Sequence, residues 1–220
     1  MVLDRFKKWF SVLKPEGLDS FIAETSGKEN LMDALTNFVI IAVIGTVFFG
    51  IVMAVYLLLV GALLESLISK LNIATMFGSL AVFGVLALAT VFVGSIVMQF
   101  ISSGITWVLA KLFGGKATYT RQTHALSYLS GGFQLTSIAL MFVAWIPCLG
   151  GAVSTAYLIY HLYMNYRLVK SVHQLDQMRA IAVVLIPVIL VLILVAAFYL
   201  FYFAALLTAP NPAIITNFFI

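Results

Sequence analysis

The chain has 220 residues, of which 63% are hydrophobic and only 9% charged, with a net charge of +4. A soluble domain carries about 25% charged residues, so a water-soluble fold of this length could not cover its surface. Lipid is the environment in which so much apolar side chain can stay exposed, and the single Cys148 excludes an intramolecular disulfide and a cysteine-based metal cluster.

The first 33 residues read as a cytoplasmic amphipathic segment. Phe6, Trp9, Phe10 and Leu13 recur at helical spacing while Arg5, Lys7, Lys8 and Lys14 point mostly elsewhere. That pattern predicts a short helix lying in the headgroup layer and ended by Pro15. The basic residues precede only a short apolar stretch that charges interrupt at once, which is not the layout of a signal peptide. A second short segment, Leu18 to Ala23, follows. Ser26-Gly27-Lys28-Glu29 then has the form of a capping box ahead of an apolar run, so the first spanning helix is expected to start there.

Residues 34–207 form the transmembrane domain. Four runs lack charge: Ala34 to Leu64, Leu71 to Ala110, Gln122 to Tyr166 and Ala180 to Ile220. About 20 helical residues cross a hydrocarbon core. The first run is one long helix. The second is a span that enters near Asn72 and Gly78 and emerges beyond Gly104. The third is broken by Pro147-Cys148-Leu149-Gly150-Gly151, a turn signal that makes it two spans. The fourth holds one span, about Ile181 to Leu207, capped by Asp176, kinked at Pro187 and ended by Pro210 and Pro212. Residues 208–220 are a short outer tail. The fold class is therefore all-α, a polytopic bundle of five transmembrane helices. Eleven of the 12 lysines and arginines fall on one side, and only Lys70 falls on the other. The positive-inside rule then places the N-terminus in the cytoplasm and the C-terminus outside, as a multi-pass protein of the cell membrane. Basic residues at span ends orient a protein in lipid, so no nucleic-acid partner is expected.

Charge is absent from the middle of every span. Glu65, at the outer end of the first helix, reads as an interfacial residue facing water or Lys70, which weighs against ion coupling. On the fourth span Ser154, Tyr157, His161 and Asn165 make a polar stripe. Such a stripe packs against neighbouring helices or lines a polar cavity. Gln99, Tyr128, Gln134, Tyr157, His161 and Asn165 are the candidate cluster. Arg5, Lys7, Lys8, Lys111, Lys116, Arg167 and Lys170 are the candidate headgroup-facing residues. Tyr157, Tyr160, Tyr163 and Tyr166 suit an aromatic belt. Gly114-Gly115-Lys116 lacks phosphate-loop spacing and reads as a helix C-cap. His173 and Asp176 lack the further ligands that a metal site needs. No catalytic constellation assembles from the loops, so neither enzyme activity nor a cofactor is expected.

Between Trp107 and about Leu190 the chain resembles the Yip family, five-span membrane proteins known from Rab-interacting members of the secretory pathway. The resemblance rests on Trp107-Val108-Leu109-Ala110-Lys111-Leu112-Phe113-Gly114-Gly115-Lys116, on Tyr128, and on Ile146-Pro147 with Gly150-Gly151. It continues through Leu158-Ile159-Tyr160, Tyr163 and Arg179-Ala180-Ile181-Ala182-Val183-Val184-Leu185-Ile186-Pro187. The pattern around Pro15 and Phe21 is also similar. Of the family's G-Y-x-x-P motif only Tyr128 matches, and the D-L-Y-G-P motif and long cytosolic N-terminal region of eukaryotic members are absent. The chain is most similar to short prokaryotic members, and small-GTPase binding does not carry over. What the resemblance implies is a five-span scaffold that organises membrane or recruits partners, with lipids, other membrane proteins or copies of itself as partners. The small residues Gly45, Gly84, Gly94 and Gly104 would permit close helix contacts. The alternative is a small transporter, channel or lipid-handling protein built around the polar stripe.

Overall fold

A computed structural model describes residues 2–67, 73–144, 146 and 148–208, with side chains described for 3–60, 84–143, 146 and 148–205. Seven helices follow in chain order: α1 Val2–Val12, α2 Pro15–Glu24, α3 Leu31–Leu67, α4 Ile73–Leu112, α5 Tyr119–Ala144, α6 Leu149–His173 and α7 Gln177–Thr208. No strand occurs among the described residues. The expectations placed on Lys70, Asn72, Pro147, Pro210, Pro212 and the outer tail beyond Thr208 lie outside the described residues, as does the side chain of Glu65.

Among the described residues, stretches of α3, α4, α5 and α7 are long and apolar enough to cross a membrane: Leu31–Val60, Gly84–Leu112, Tyr119–Val143 and Gln177–Ala205. α6 has 25 residues. At 1.5 Å per residue it reaches about 37 Å, enough to span, but His161, Asn165, Arg167 and Lys170 lower its apolar content.

The helix boundaries have local causes. Pro15 both closes α1 and opens α2 as its first residue, where its missing amide hydrogen costs nothing. The expected capping box at Ser26 is not formed. Ser26 lies in the turn that finishes α2, its amide bonded to the Ala23 carbonyl, and Gly27 has a φ of 79°. Asn30 caps α3 instead: its Oδ1 accepts from the Met32 amide at 2.8 Å and its carbonyl from the Ala34 amide at 3.2 Å. A cap works from immediately before the helix, and the positive φ of Gly27 moves that position four residues on from Ser26. α4 ends in a glycine turn. Gly114, at φ 88°, returns its amide to the Lys111 carbonyl, and Gly115 returns its own to Ala110 at 2.7 Å, the two bonds of a Schellman motif. Asp176 caps α7, accepting from the Arg179 amide at 3.0 Å. Pro187 lies inside α7, which continues as α-helix on both sides of it.

The buried core gathers at one end of the bundle. It draws on Trp9, Val12, Leu18, Phe21 and Ile22 from the N-terminal helices, on Phe38 and Ile41 of α3, and on Leu129 and Phe133 of α5. Met164, Leu168, Val169 and Val172 of α6 and Val183 of α7 complete it. This is the end that carries Lys111, Lys116, Arg121 and Arg167. Beyond it the apolar residues are exposed, among them Val55 and Leu58 of α3, Val85 of α4 and Leu200 of α7. Apolar side chains left bare over such lengths require lipid around them.

Candidate functional site

Two polar constellations lie within the bundle, and the first is at its basic end. α3 presents Asp33 and Asn37 one turn apart, and α5 presents His124, Ser127 and Tyr128 on the facing side. Asp33 is the centre. Its Oδ2 accepts from His124 Nε2 at 3.0 Å and from the Tyr128 hydroxyl at 2.9 Å, while its Oδ1 accepts from Arg5 Nη2 at 2.5 Å. Arg5 Nη1 donates to Asn37 Oδ1 at 2.8 Å, and Asn37 Nδ2 donates to Ser127 Oγ at 3.0 Å. Asn37 and Ser127 are fully buried and His124 nearly so. Buried polar groups are stable only when so partnered, and bonds to a charged acceptor are the stronger kind.

The N-terminal hairpin of α1 and α2 closes over this network. Trp9 is fully buried against Gly131-Gly132 of α5. A Cβ on Gly131 would come within 2.3 Å of the indole, and one on Gly132 within 2.5 Å of the Trp9 carbonyl. The paired glycines are thus what lets α1 approach α5 so closely. α2 lays Phe21 over His124, stacked at 5.8 Å, and against Tyr128 at 4.6 Å. Asp19 of α2 pairs with Arg167 of α6 and accepts from Ser171 Oγ at 2.8 Å. The Tyr160 hydroxyl donates to the Leu13 carbonyl at the α1–α2 turn.

These contacts revise the expected role of the N-terminal segment. The inner face of α1, with Trp9 and Val12, is covered by protein and not by lipid; Leu3 and Phe10 remain exposed. Of the basic residues expected to face headgroups, Arg5 is turned inward to Asp33 and Asn37, and Arg167 is engaged with Asp19. A carboxylate within reach draws a guanidinium more strongly than water does when both are partly buried. Lys7, Lys8, Lys111 and Lys116 are exposed and Lys170 is half-buried.

Beside this end, the glycine turn after α4 packs on the last residue of α6. His173 is fully buried, its Nε2 bonded to Gln122 Oε1 at 3.1 Å. Its carbonyl accepts from the Lys116 amide at 3.2 Å. Burial, reinforced by the charges of Lys111 and Arg121, lowers the imidazole to about 4, so it is neutral at pH 7.

The second constellation lies deeper. Gln99 of α4, Ser130, Phe133, Gln134 and Ser137 of α5, and Tyr157, Leu158 and His161 of α6 line a cleft of about 260 Å³. Four of the six residues in the candidate polar cluster therefore share one cavity: Gln99, Gln134, Tyr157 and His161. Asn165 stands behind it, its Nδ2 bonded to the His161 carbonyl at 2.8 Å. Tyr128 belongs to the Asp33 network instead, because it lies on α5 two residues before Ser130 and so on a different face. Of the glycines expected to allow close helix contacts, Gly45 meets Gln134 of α5, whereas Gly84 and Gly94 face open space.

The sequence reading missed Asp33, Asn37, His124 and Ser127. A signal was present: two pairs of polar residues at i, i+4 spacing, Asp33 with Asn37 and His124 with Tyr128, at the basic ends of two spans.

The Yip1 domain model matches residues 32–198. The chain belongs to the Yip family. The match runs from the start of α3 through most of α7, so the Yip domain holds Asp33, His124, Tyr128 and the whole cleft, while α1 and α2 lie before it. No curated protein and no solved structure is significantly similar to the chain. Membership of the Yip family and the apolar helices make it an integral membrane protein.

Proposed function

We propose that this Yip-family protein is a non-enzymatic scaffold of the cell membrane, presenting a rigid cytoplasmic platform that organises membrane or recruits partners. It crosses the bilayer five times, with α6 as the fourth crossing, the N-terminus inside and the C-terminus outside. The clamping of α1 and α2 onto the basic end of the bundle carries this reading. Trp9 fills the Gly131-Gly132 notch, and Arg5 and Asp19 reach Asp33 and Arg167. A surface helix that only bound lipid would need no such fixation. The fixed hairpin holds Lys7, Lys8 and Phe10 outward, and Lys111 and Lys116 are also exposed, basic and apolar groups suited to lipid headgroups and to acidic partner segments.

The test is photocrosslinking from Lys7, Lys8 and Phe10 positions in native membranes, combined with solute-flux measurements on reconstituted vesicles. A scaffold gives discrete adducts, including adducts with its own copies, that vanish in Trp9→Ala, and it conducts nothing. Solute flux through the wild type, or an absence of adducts from every platform position, overturns the proposal.

A further inference from the structure

We infer that the cleft between α4, α5 and α6 binds the uncharged glycerol–ester head of a neutral membrane lipid of the diacylglycerol class, whose acyl chains stay in the bilayer. The inference does not need the scaffold role, but it rests on the five-span placement proposed above, with α6 as a crossing, and on the composition and unused bonding capacity of the cleft.

Depth comes first. Along the helix axes the lining residues lie roughly 9 to 24 Å from the basic ends of their helices, counting His161 to Arg167 and Ser137 to Arg121 at 1.5 Å per residue. With the basic ends at the headgroups, as in the proposed five-span placement, the cleft opens inward of them, within reach of a lipid that lacks a charged head. A phosphate brought to this depth would lose its hydration with no cation among the lining residues to replace it. A hydroxyl or ester loses far less and recovers it through hydrogen bonds.

The lining offers those bonds. The Tyr157 hydroxyl is committed to the Phe133 carbonyl at 2.7 Å, Ser137 Oγ to the Gln134 carbonyl at 2.8 Å, and Ser130 Oγ to Gln99 Oε1 at 3.2 Å. These bonds fix the walls. Among the described residues, the Gln134 side-chain amide, Gln99 Nε2 and His161 Nε2 have no hydrogen-bond partner. Asn165 holds the His161 ring from behind, with Nδ2 at 3.3 Å from Nδ1, and Phe133 packs on its face at 4.3 Å. Two amides and an imidazole nitrogen with spare bonds match vicinal hydroxyl and ester oxygens. The volume of about 260 Å³ is just below the range of about 300–1,000 Å³ that encloses a whole drug-sized ligand, so it takes a head fragment and leaves the tails outside. Leu158, on the cleft wall, is exposed to the surroundings and marks where the tails leave.

The experiment uses the full chain in nanodiscs and a diacylglycerol with a diazirine near its glycerol. A phosphatidylcholine with the same chains and diazirine is the comparison. The proposal expects adducts on α4, α5 and α6 near Gln99, Gln134 and His161. Removing bonding groups in Gln134→Leu or His161→Phe should reduce labelling about tenfold, the effect of roughly one lost hydrogen bond, at unchanged melting temperature. Unlabelled monoacylglycerol should compete on the wild-type protein, which keeps the test valid if a variant fails to fold. Equal labelling by the phosphatidylcholine probe, labelling indifferent to competitor, or adducts confined to other helices would each overturn the assignment, the first by showing an ordinary annular lipid and the last two by leaving the cleft to water.

Discussion

The indole of Trp9 lies against the backbone of Gly131 so closely that a single added methyl would come within 2.3 Å of the ring. The two residues behave as one device, because the glycine exists for the tryptophan and the tryptophan has nowhere else to be buried. Gly131→Ala is expected to destabilise the wild type by about 1–3 kcal/mol through overpacking. Trp9→Ala is expected to cost about 3–5 kcal/mol through the emptied site. In the Trp9→Ala background the Gly131→Ala cost should nearly vanish. Thermal unfolding of the four proteins in one detergent reads this non-additivity, and strictly additive losses would show that the contact carries no stability.

Asp33 gathers three donors, Arg5 from α1 and His124 and Tyr128 from α5, so its loss should loosen the N-terminal hairpin more than the bundle. Asp33→Asn keeps the shape but removes the charge, and should cost about 2 kcal/mol, the range for bonds to charged groups. Trypsin cleavage at Lys7 and Lys8 should accelerate while cleavage at Lys111 and Lys116 does not. Uniform acceleration at all four sites would point to general unfolding instead.

His173 gives the protein a pH dependence. Its folded value of about 4 lies below the value of about 6.5 of a free imidazole. The unfolded chain therefore takes up a proton first as pH falls. Stability supplied by the neutral ring is full above about 6.5, declines as pH drops toward 4, and totals up to about 3 kcal/mol. The melting temperature should fall across that interval in the wild type and more shallowly in His173→Gln. Parallel profiles for the two proteins would remove His173 from the account.

Asn30 and Ser26 offer a clean comparison, since only the former meets the first turn of α3. Asn30→Ala should cost about 1 kcal/mol, as for other lost N-caps, and Ser26→Ala close to nothing. Chemical denaturation of the two variants decides it, and a larger loss from Ser26→Ala would restore the capping box.

Cys148, exposed at the α5–α6 turn, is a native topology reporter. With five crossings and an inner N-terminus, a membrane-impermeant maleimide labels it from outside intact cells, and a tag after Ile220 is reached from outside as well. Labelling of Cys148 with an inner C-terminal tag would mean that α6 does not cross.

The helices were legible in the sequence because long uncharged runs and glycine or proline breaks leave few alternatives. The cap at Asp176 and the glycine turn at Gly114-Gly115 followed from local rules and stand in the structure. Ser26 misled because the motif says nothing about Gly27 taking a positive φ. The polar cleft was half legible: His161 and Tyr157 share a helical stripe, but only the packing of α4 and α5 brings Gln99 and Gln134 to it. The Asp33 network was not found, because Asp33 sits at the very edge of an uncharged run and its partners are far off in sequence. Nothing in residues 1–33 states that Trp9 will face two glycines on α5 and not lipid.

The clamp of the N-terminal hairpin also sets an order of assembly. Asp19 and Arg167 are 148 residues apart, and Leu13 and Tyr160 are 147 apart. At ribosomal speeds of about 5–20 residues per second, roughly 7 to 30 s pass between the synthesis of one partner and the other. For most of that interval Trp9 has no notch, so the segment made first waits for α5 and α6 to find its place. Its closure reports that α5 and α6 have both arrived, ahead of α7, and until then the hairpin is an exposed handle for whatever attends the nascent chain.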